Sequence, residues 1–205
     1  SEKGNLFSAP DTYMEKIAIG SDLPANLLDL DNSVEENINL LAKAKRTLPN
    51  NLTACLLDRP RHYKIIESLK KLNVKIKFIK DGDVSGVISV IDKTSPIDIY
   101  MGIGGGPEGV LAGAALSCLG GQMQTRLVLD SNQINRAIKL GVKDYKKKYD
   151  LDEMIKGDVI FCATAITDGE IVKGVVKNKN SYETSTFALH KSSQTYLKVT
   201  NIHTK

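Results

Sequence analysis

The spacing of apolar and polar positions changes near residue 50 of the chain. Before that point the spacing predicts helices, one over residues 10–19 and a second that begins at Ser33. Ser33 and Glu36 have the spacing of a capping box, in which the hydroxyl and the carboxylate each accept a backbone N–H at the start of a helix. We therefore expect residues 1–50 to be a helical region.

After residue 50, short apolar runs alternate with helical stretches. Such alternation is typical of parallel strands that are covered on both faces. It predicts an α/β fold, a layered α/β sandwich on a mixed, largely parallel sheet, with mixed or antiparallel pairing of the last strands. The predicted strands cover residues 52–57, 74–79, 97–103, 126–129, 159–164, 184–190 and 195–201, and the predicted helices cover 61–72, 107–119 and 131–140.

The composition of the chain indicates which kinds of ligand it can bind. The 205 residues are 41% hydrophobic and 25% charged, and the net charge of +4 with a pI near 8.8 suits an anionic small ligand. The basic run 146–148 has acidic neighbours, so we interpret it as a solvated surface. Only 5% of residues are aromatic and there is no Trp, which argues against a base-stacking platform and hence against a nucleic-acid partner.

The cysteines and the apolar runs indicate the cellular compartment of the protein. Cys55, Cys118 and Cys162 lie in apolar surroundings with no pair at metal-ligand spacing, so we expect buried thiols in a reducing, cytoplasmic setting. No uncharged apolar run is long enough to span a membrane, and the first residues resemble no targeting segment. The sequence therefore predicts a cytoplasmic protein with no membrane partner.

Unusual polar sequences follow three successive predicted strands, at residues 58–62, 81–83 and 102–109. Ligands of open α/β sheets gather beyond the carboxyl ends of the strands. If these strands are neighbours in the sheet, the three segments share one edge and form a candidate site.

Arg59, Pro60 and Arg61 predict an anion clamp. A guanidinium presents a rigid fork to phosphate oxygens, and proline fixes the backbone between the two arginines. The alternative is that both arginines are surface residues that pair with Asp58 or Glu67.

Asp81, Gly82 and Asp83 form the second polar segment. Carboxylates accept hydrogen bonds, so they suit sugar hydroxyls or a hard cation better than a phosphate. The alternative is a simple turn, which this sequence favours by itself.

The glycine-rich segment 102–109 leads into a helix at Pro107. Its backbone can approach a ligand closely, and the helix N-terminus offers N–H donors to an anion. Glu108 in the first turn would repel a bound phosphate unless a divalent cation lay between them, which predicts a metal ligand. The alternative is a first-turn acid that only compensates the helix dipole.

Residues 104–109 also fit the dinucleotide fingerprint G-x-G-x-x-G, with Asp130 about 20 residues further on. Against that interpretation, Glu108 would face the pyrophosphate without a metal, and Asp130 could equally cap the next helix.

Several motifs in order resemble class II fructose-1,6-bisphosphatase. They are the runs LDLDN at 28–32, DRPRH at 58–62, DGDV at 81–84, MGIGG at 101–105, PEGV at 107–110 and CLGG at 118–121. The resemblance extends from about residue 9 to residue 203. It implies metal-dependent hydrolysis, with Mn²⁺ or Mg²⁺, of the 1-phosphate of fructose 1,6-bisphosphate in gluconeogenesis, and some members of the family also accept sedoheptulose 1,7-bisphosphate.

The resemblance also implies residue roles. Glu108 falls at a metal-ligand position, and the substrate-binding positions are Tyr13, Arg59, Pro60, Arg61, Asp81, Gly82, Asp83 and Gly105. We further expect a homo-oligomer whose small-molecule partner is a sugar bisphosphate.

One departure from the family pattern is large. In the family most metal-binding carboxylates, and the threonine beside the attacking water, precede the segment that begins here. We therefore expect residues 1–205 to be the C-terminal portion of a sugar-bisphosphate phosphatase, with catalytic residues upstream of this chain. In this interpretation 1–50 joins the missing part and 51–205 is the α/β substrate-binding region. The alternative is a non-catalytic sugar-phosphate-binding fragment.

Overall fold

The computed structural model describes residues 1–169 and 171–204. These residues form two sheets with helices packed around them. The strands are β1 (Tyr13–Ile19), β2 (Thr53–Leu57), β3 (Lys75–Ile79), β4 (Ile99–Gly105), β5 (Gln122–Val128), β6 (Lys148–Asp150), β7 (Ile160–Thr164), β8 (Val176–Lys177), β9 (Ser181–His190) and β10 (Thr195–Thr204). The α-helices are α1 (Val34–Ala44), α2 (Tyr63–Lys71), α3 (Asp83–Ile88), α4 (Gly106–Leu119), α5 (Ser131–Lys139) and α6 (Leu151–Met154), and short 3-10 helices cover Pro49–Asn51 and Pro60–His62.

The larger sheet has the strand order β3-β2-β4-β1-β5-β6. β2 pairs in parallel with β3 and with β4, whereas β1 is antiparallel to both of its neighbours and β6 is antiparallel to β5. Four of the six strands therefore run in one direction, which confirms the predicted α/β class with a mixed sheet. The smaller sheet is antiparallel, with β9 between β10 and β7, as predicted for the end of the chain.

Each face of the larger sheet has its own hydrophobic core. On one face Ile38 and Leu41 of α1 and Leu69 of α2 pack against Ile99 and neighbouring strand residues. On the other face α3 and α4 cover the sheet, and α4 also contacts β7 and β9 of the smaller sheet. Helix α4 is consequently covered on most sides, which explains why its sequence is rich in alanine and glycine.

The helix predicted at residues 10–19 is wrong, because residues 13–19 form β1. This strand lies between β4 and β5 in the middle of the sheet. Met14 and Ala18 pack into one core, and Ile17 and Ile19 pack into the other. A strand that is buried on both faces has no polar–apolar alternation, so the signal that distinguishes strand from helix is absent there.

The start of α1 confirms the prediction at Ser33. The Ser33 hydroxyl accepts the Glu36 N–H at 3.1 Å, and the Glu36 carboxylate accepts the Ser33 N–H at 2.8 Å.

The expectation of three buried thiols is wrong for Cys162, which is exposed because its side chain points to the open face of the smaller sheet, whereas Cys55 is buried and Cys118 is half-buried. No helix among the described residues is long and apolar enough to cross a bilayer.

Leucines at two positions of α4 give a matched test of this packing. Leu116 is fully buried, whereas Leu111 is 51% exposed on the same helix. Leu116→Ala should lower the free energy of unfolding by about 2–5 kcal/mol, because it leaves a cavity between the sheets. Leu111→Ala should change it by about 0.5 kcal/mol or less. Urea denaturation measures both, and similar losses from the two variants would contradict the sandwiched position of α4.

Candidate functional site

The carboxyl edge of the larger sheet collects the three polar segments. β3, β2 and β4 are parallel neighbours, so residues 58–62, 81–83 and the glycine-rich segment 102–109 follow their strands at the same edge. β1 runs in the opposite direction and begins at this edge, where Tyr13 lies opposite Gly105. The predicted sharing of one edge is confirmed.

Ile103 of β4 holds the loop that carries the arginines. Its carbonyl oxygen accepts Nε of Arg61 at 2.8 Å, and its N–H donates to Nε2 of His62 at 2.8 Å. The Arg61 guanidinium also lies 4.7 Å from the centre of the Tyr13 ring, within cation–π distance. Arg61 is thus fixed by β4 through its Nε and by β1 through Tyr13, while its side chain remains exposed.

His62 is buried and connects the end of β2 to β4 through hydrogen bonds of its ring. Because Nε2 accepts the Ile103 N–H, the neutral ring carries its proton on Nδ1, which donates to the Leu57 carbonyl oxygen at 2.7 Å. Burial lowers the pKa of His62, and the nearby Arg61 charge acts in the same direction. Gly102 makes room for the ring, since it has φ +145° and a Cβ there would lie 3.0 Å from Nε2.

Arg59 and Pro60 complete the loop after β2. Pro60 begins the 3-10 helix Pro60–His62, and Nη1 of Arg59 donates to the Asp58 carbonyl oxygen at 2.9 Å. Among the described residues, neither Arg59 nor Arg61 forms an ion pair with a carboxylate. Glu67 instead accepts the Tyr63 hydroxyl at 2.9 Å. The described residues therefore show no ion pair of the arginines with Asp58 or Glu67, as the alternative would require.

The two aspartates after β3 have different surroundings. Asp81 is exposed, and its Oδ1 accepts the N–H of Gly82, which has φ +78°. Asp83 is 6% exposed at the first position of α3, and its Oδ2 accepts Nζ of Lys16 at 2.7 Å. The segment makes the turn that its sequence favours, and it also directs two carboxylates to the carboxyl edge.

Lys16 is a site residue that the sequence interpretation missed. It lies in β1 and is fully buried, and burial lowers the pKa of its ammonium although Asp83 opposes this effect. The other charges that act on Lys16 belong to Glu108 and Arg61. The signal in the sequence was a lysine inside a run of core residues, which is informative only once residues 13–19 are assigned to a strand.

Glu108 lies above the glycine-rich segment, in the first turn of α4 behind Pro107. Its carboxylate folds back over Gly105, and a Cβ on Gly105 would overlap Oε2. Tyr13, Arg61, Asp83, Gly105 and Glu108 therefore come together around the end of β4. The contacts do not join Arg59, Pro60, Asp81 or Gly82 to this group directly, although they belong to the adjacent loops.

The dinucleotide interpretation is not favoured. Oδ1 of Asp130 accepts the N–H groups of Asn132 and Gln133, each at 2.9 Å, and Gln133 completes a capping box with the Asp130 N–H. The acidic residue that would bind a ribose is thus the N-cap of α5.

The described residues do not form a complete metal site by themselves. Within 1–169 and 171–204, no three His, Cys, Asp or Glu side chains lie close enough to hold a metal ion together. Asp83 is already paired with Lys16, whereas Glu108 is an exposed carboxylate beside the glycine-rich segment.

The buried His62 predicts a pH dependence of stability. Its folded-state pKa lies below the unfolded value near 6.5, so its contribution is fully present above about pH 6.5 and is lost as the pH falls toward the folded pKa. One proton accounts for a slope of at most about 1.4 kcal/mol per pH unit. Urea denaturation between about pH 7.5 and 5 should give a shallower slope for His62→Asn than for the unaltered chain. His203→Asn, on an exposed position of β10, is the control, and equal slopes in all three proteins would contradict the neutral buried ring.

Comparison with known proteins places these features in a family. The family model of bacterial, glpX-encoded fructose-1,6-bisphosphatase matches residues 1–203. Fructose-1,6-bisphosphatase class 2 of Haemophilus influenzae is 34% identical over 98% of this chain and 64% of its own length. D-fructose 1,6-bisphosphatase class 2/sedoheptulose 1,7-bisphosphatase of Synechocystis sp. is 33% identical over all of this chain and 63% of its own length. The chain thus spans less than two thirds of these relatives, and it belongs to the family of bacterial, glpX-encoded fructose-1,6-bisphosphatases.

Proposed function

We propose that this chain supplies the sugar-bisphosphate-binding part of a metal-dependent phosphatase. The reaction is hydrolysis of the 1-phosphate of fructose 1,6-bisphosphate to fructose 6-phosphate and phosphate, a step of gluconeogenesis. The observation that carries the proposal is the meeting of Tyr13, Arg61, Asp83, Gly105 and Glu108 around the end of β4. The relatives named for this activity supply the substrate class.

Arg59 and Arg61 bind the phosphate that is not cleaved. Both side chains are free of carboxylate partners among the described residues, and Arg61 is held by the Ile103 carbonyl and by the Tyr13 ring. A guanidinium whose Nε is already fixed still presents its terminal N–H groups to phosphate oxygens. Pro60 and the 3-10 helix restrict the backbone between the two arginines.

Asp81 and Asp83 bind the sugar hydroxyls, and Gly82 and Gly105 allow the sugar to approach the backbone. Carboxylates accept hydrogen bonds from hydroxyls, whereas they repel phosphate oxygens. This division assigns hydroxyl binding to the loop after β3 and phosphate binding to the loop after β2.

Glu108 acts at the other end of the substrate, as one ligand of Mn²⁺ or Mg²⁺. A bound divalent cation would polarise the phosphate that is cleaved and supply an activated water. The remaining ligands and the catalytic groups come, in this proposal, from residues outside this chain. We propose a reducing, cytoplasmic compartment, in which the cysteines remain thiols, and a homo-oligomer.

Phosphate release from fructose 1,6-bisphosphate tests the proposal. The assay compares this chain with the product of the full reading frame that encodes it, each with Mn²⁺ and with EDTA. We expect turnover only by the longer product, and only with the metal. Binding of fructose 6-phosphate without turnover by either protein would favour the non-catalytic sugar-phosphate-binding fragment, and turnover by the short chain would contradict the assignment of ligands outside it. Sedoheptulose 1,7-bisphosphate, assayed in parallel, tests the wider specificity in the name of the Synechocystis relative.

Glu108→Gln tests the metal ligand in the active protein. We expect kcat to fall by about two orders of magnitude or more, because the metal contributes several kcal/mol to the transition state. Asp152→Asn is the control, since it removes one negative charge from the first turn of another helix, α6. Metal-dependent turnover that is equal in Glu108→Gln and the unaltered enzyme would rule out Glu108 as a ligand.

Arg61→Ala tests the phosphate clamp. Loss of charge-assisted hydrogen bonds should lower kcat/KM by about 10- to 100-fold, mainly through KM. Arg61→Lys keeps the charge without the planar fork, so we expect it to recover only part of this loss. Arg136→Ala, on an exposed position of α5, should leave kcat/KM within about twofold. Full recovery by lysine would mean that charge alone, and not the fork, binds the phosphate.

A further inference from the structure

Lys16 and Asp83 form a buried ion pair at the floor of the candidate site. Nζ of Lys16 lies 2.7 Å from Oδ2 of Asp83, and the two side chains are 0% and 8% exposed. Removal of two charges from water costs several kcal/mol, and their mutual attraction often does not exceed that cost. A methionine at position 16 would fill the same space without a charge. The pair is therefore a weak explanation of stability alone, and its location calls for another.

The backbone is shaped around the Lys16 side chain. A Cβ on Gly109 of α4 would lie 2.7 Å from Cε of Lys16, and a Cβ on Gly104 of β4 would lie 2.9 Å from Nζ. Gly104 also leaves room for the Asp83 carboxylate, which a Cβ there would overlap. Two glycines of the glycine-rich segment thus create a passage through which the lysine of β1 reaches the aspartate of α3.

The Asp83 carboxylate has one oxygen fixed and one oxygen available. Among the described residues, Lys16 alone donates a hydrogen bond to this carboxylate, and it donates to Oδ2. Oδ1 accepts none of the hydrogen bonds within that part of the chain. A carboxylate held in this way can accept a ligand hydroxyl through Oδ1 without losing rotamer freedom on binding.

We propose that Lys16 is a positioning residue, which holds Asp83 in the rotamer that binds a hydroxyl of the sugar. This inference rests on the proposed function, because the hydroxyl belongs to the sugar bisphosphate. It extends that function by separating recognition of the sugar, through Lys16 and Asp83, from recognition of phosphate, through Arg59 and Arg61.

The test compares two substrates of the active, metal-loaded product of the full reading frame. Fructose 1,6-bisphosphate has sugar hydroxyls, and p-nitrophenyl phosphate has none. Lys16→Met should lower kcat/KM for fructose 1,6-bisphosphate by about 10- to 100-fold, the loss expected for a charge-assisted hydrogen bond. The loss for p-nitrophenyl phosphate should be at least tenfold smaller, because that substrate makes no use of a positioned Asp83.

A double-variant comparison tests whether Lys16 acts through Asp83. If it does, Lys16→Met combined with Asp83→Asn should be no worse toward fructose 1,6-bisphosphate than Asp83→Asn alone. Lys45→Met is the matched control, because Lys45 also forms a Lys–Asp ion pair, with Asp98 at the opposite edge of the sheet. This control should keep the ratio of the two kcat/KM values within about twofold of the unaltered enzyme.

The possible results separate the two proposals. Equal losses on both substrates, or strictly multiplicative losses in the double variant, would overturn the positioning role and leave the phosphatase proposal in place. Absence of fructose 1,6-bisphosphate turnover by the unaltered enzyme would overturn the phosphatase proposal and this inference with it. If Lys16→Met does not fold, Lys16→Gln, which keeps an N–H donor without the charge, decides the question by the same ratio.

Discussion

The close approach of side chains to the glycine-rich segment 102–109 is the constraint on which the candidate site depends. A Cβ at Gly104 would overlap the Asp83 carboxylate, and one at Gly105 would overlap Glu108. A Cβ at Gly102 would lie 3.0 Å from His62, and one at Gly109 would lie 2.6 Å from Met14 and 2.7 Å from Lys16. The side chains involved come from β1, from the loops or helices after β2 and β3, and from α4 itself. A single Cβ would displace one of them, so this stretch of backbone fixes their relative positions.

The position of α4 between two sheets restrains the glycine-rich segment at its start. Gly106, the first residue of α4, donates its N–H to the Thr12 carbonyl oxygen at 2.7 Å, and a Cβ on it would lie 3.0 Å from the Pro10 carbonyl oxygen. Behind it, Leu116 and the alanines of α4 are buried among residues of both sheets. The helix therefore cannot shift without moving the core that it shares with both sheets, and this restrains the glycines at its start.

Patterns in the sequence predicted the parts of the fold whose signals are local. The Ser33 capping box, the alternation of strands and helices after residue 50 and the shared carboxyl edge depend on spacing along the chain. β1 could not be predicted in this way, because both of its faces are covered and its sequence therefore lacks an alternation of polar and apolar residues. The short strands β6 and β8 were also missed, since pairing with β5 and β9 defines them and their own residues do not. Lys16 was missed for a similar reason, because its partner Asp83 is 67 positions away in the sequence.

At the candidate site, the positions of the individual charged side chains matter more for ligand binding than the net charge of the protein. The three positive charges of Arg59, Arg61 and Lys16 equal in number the three negative charges of Asp81, Asp83 and Glu108. The arginines lie in the loop after β2, while Glu108 lies over Gly105 and Lys16 neutralises Asp83 from below. On the proposed function, a bisphosphate would meet positive charge at one end and a carboxylate at the other. The second phosphate would then bind beside Glu108 only together with a cation. On the proposed function, this asymmetry of charge decides which phosphate is held by the protein and which is exposed to metal chemistry.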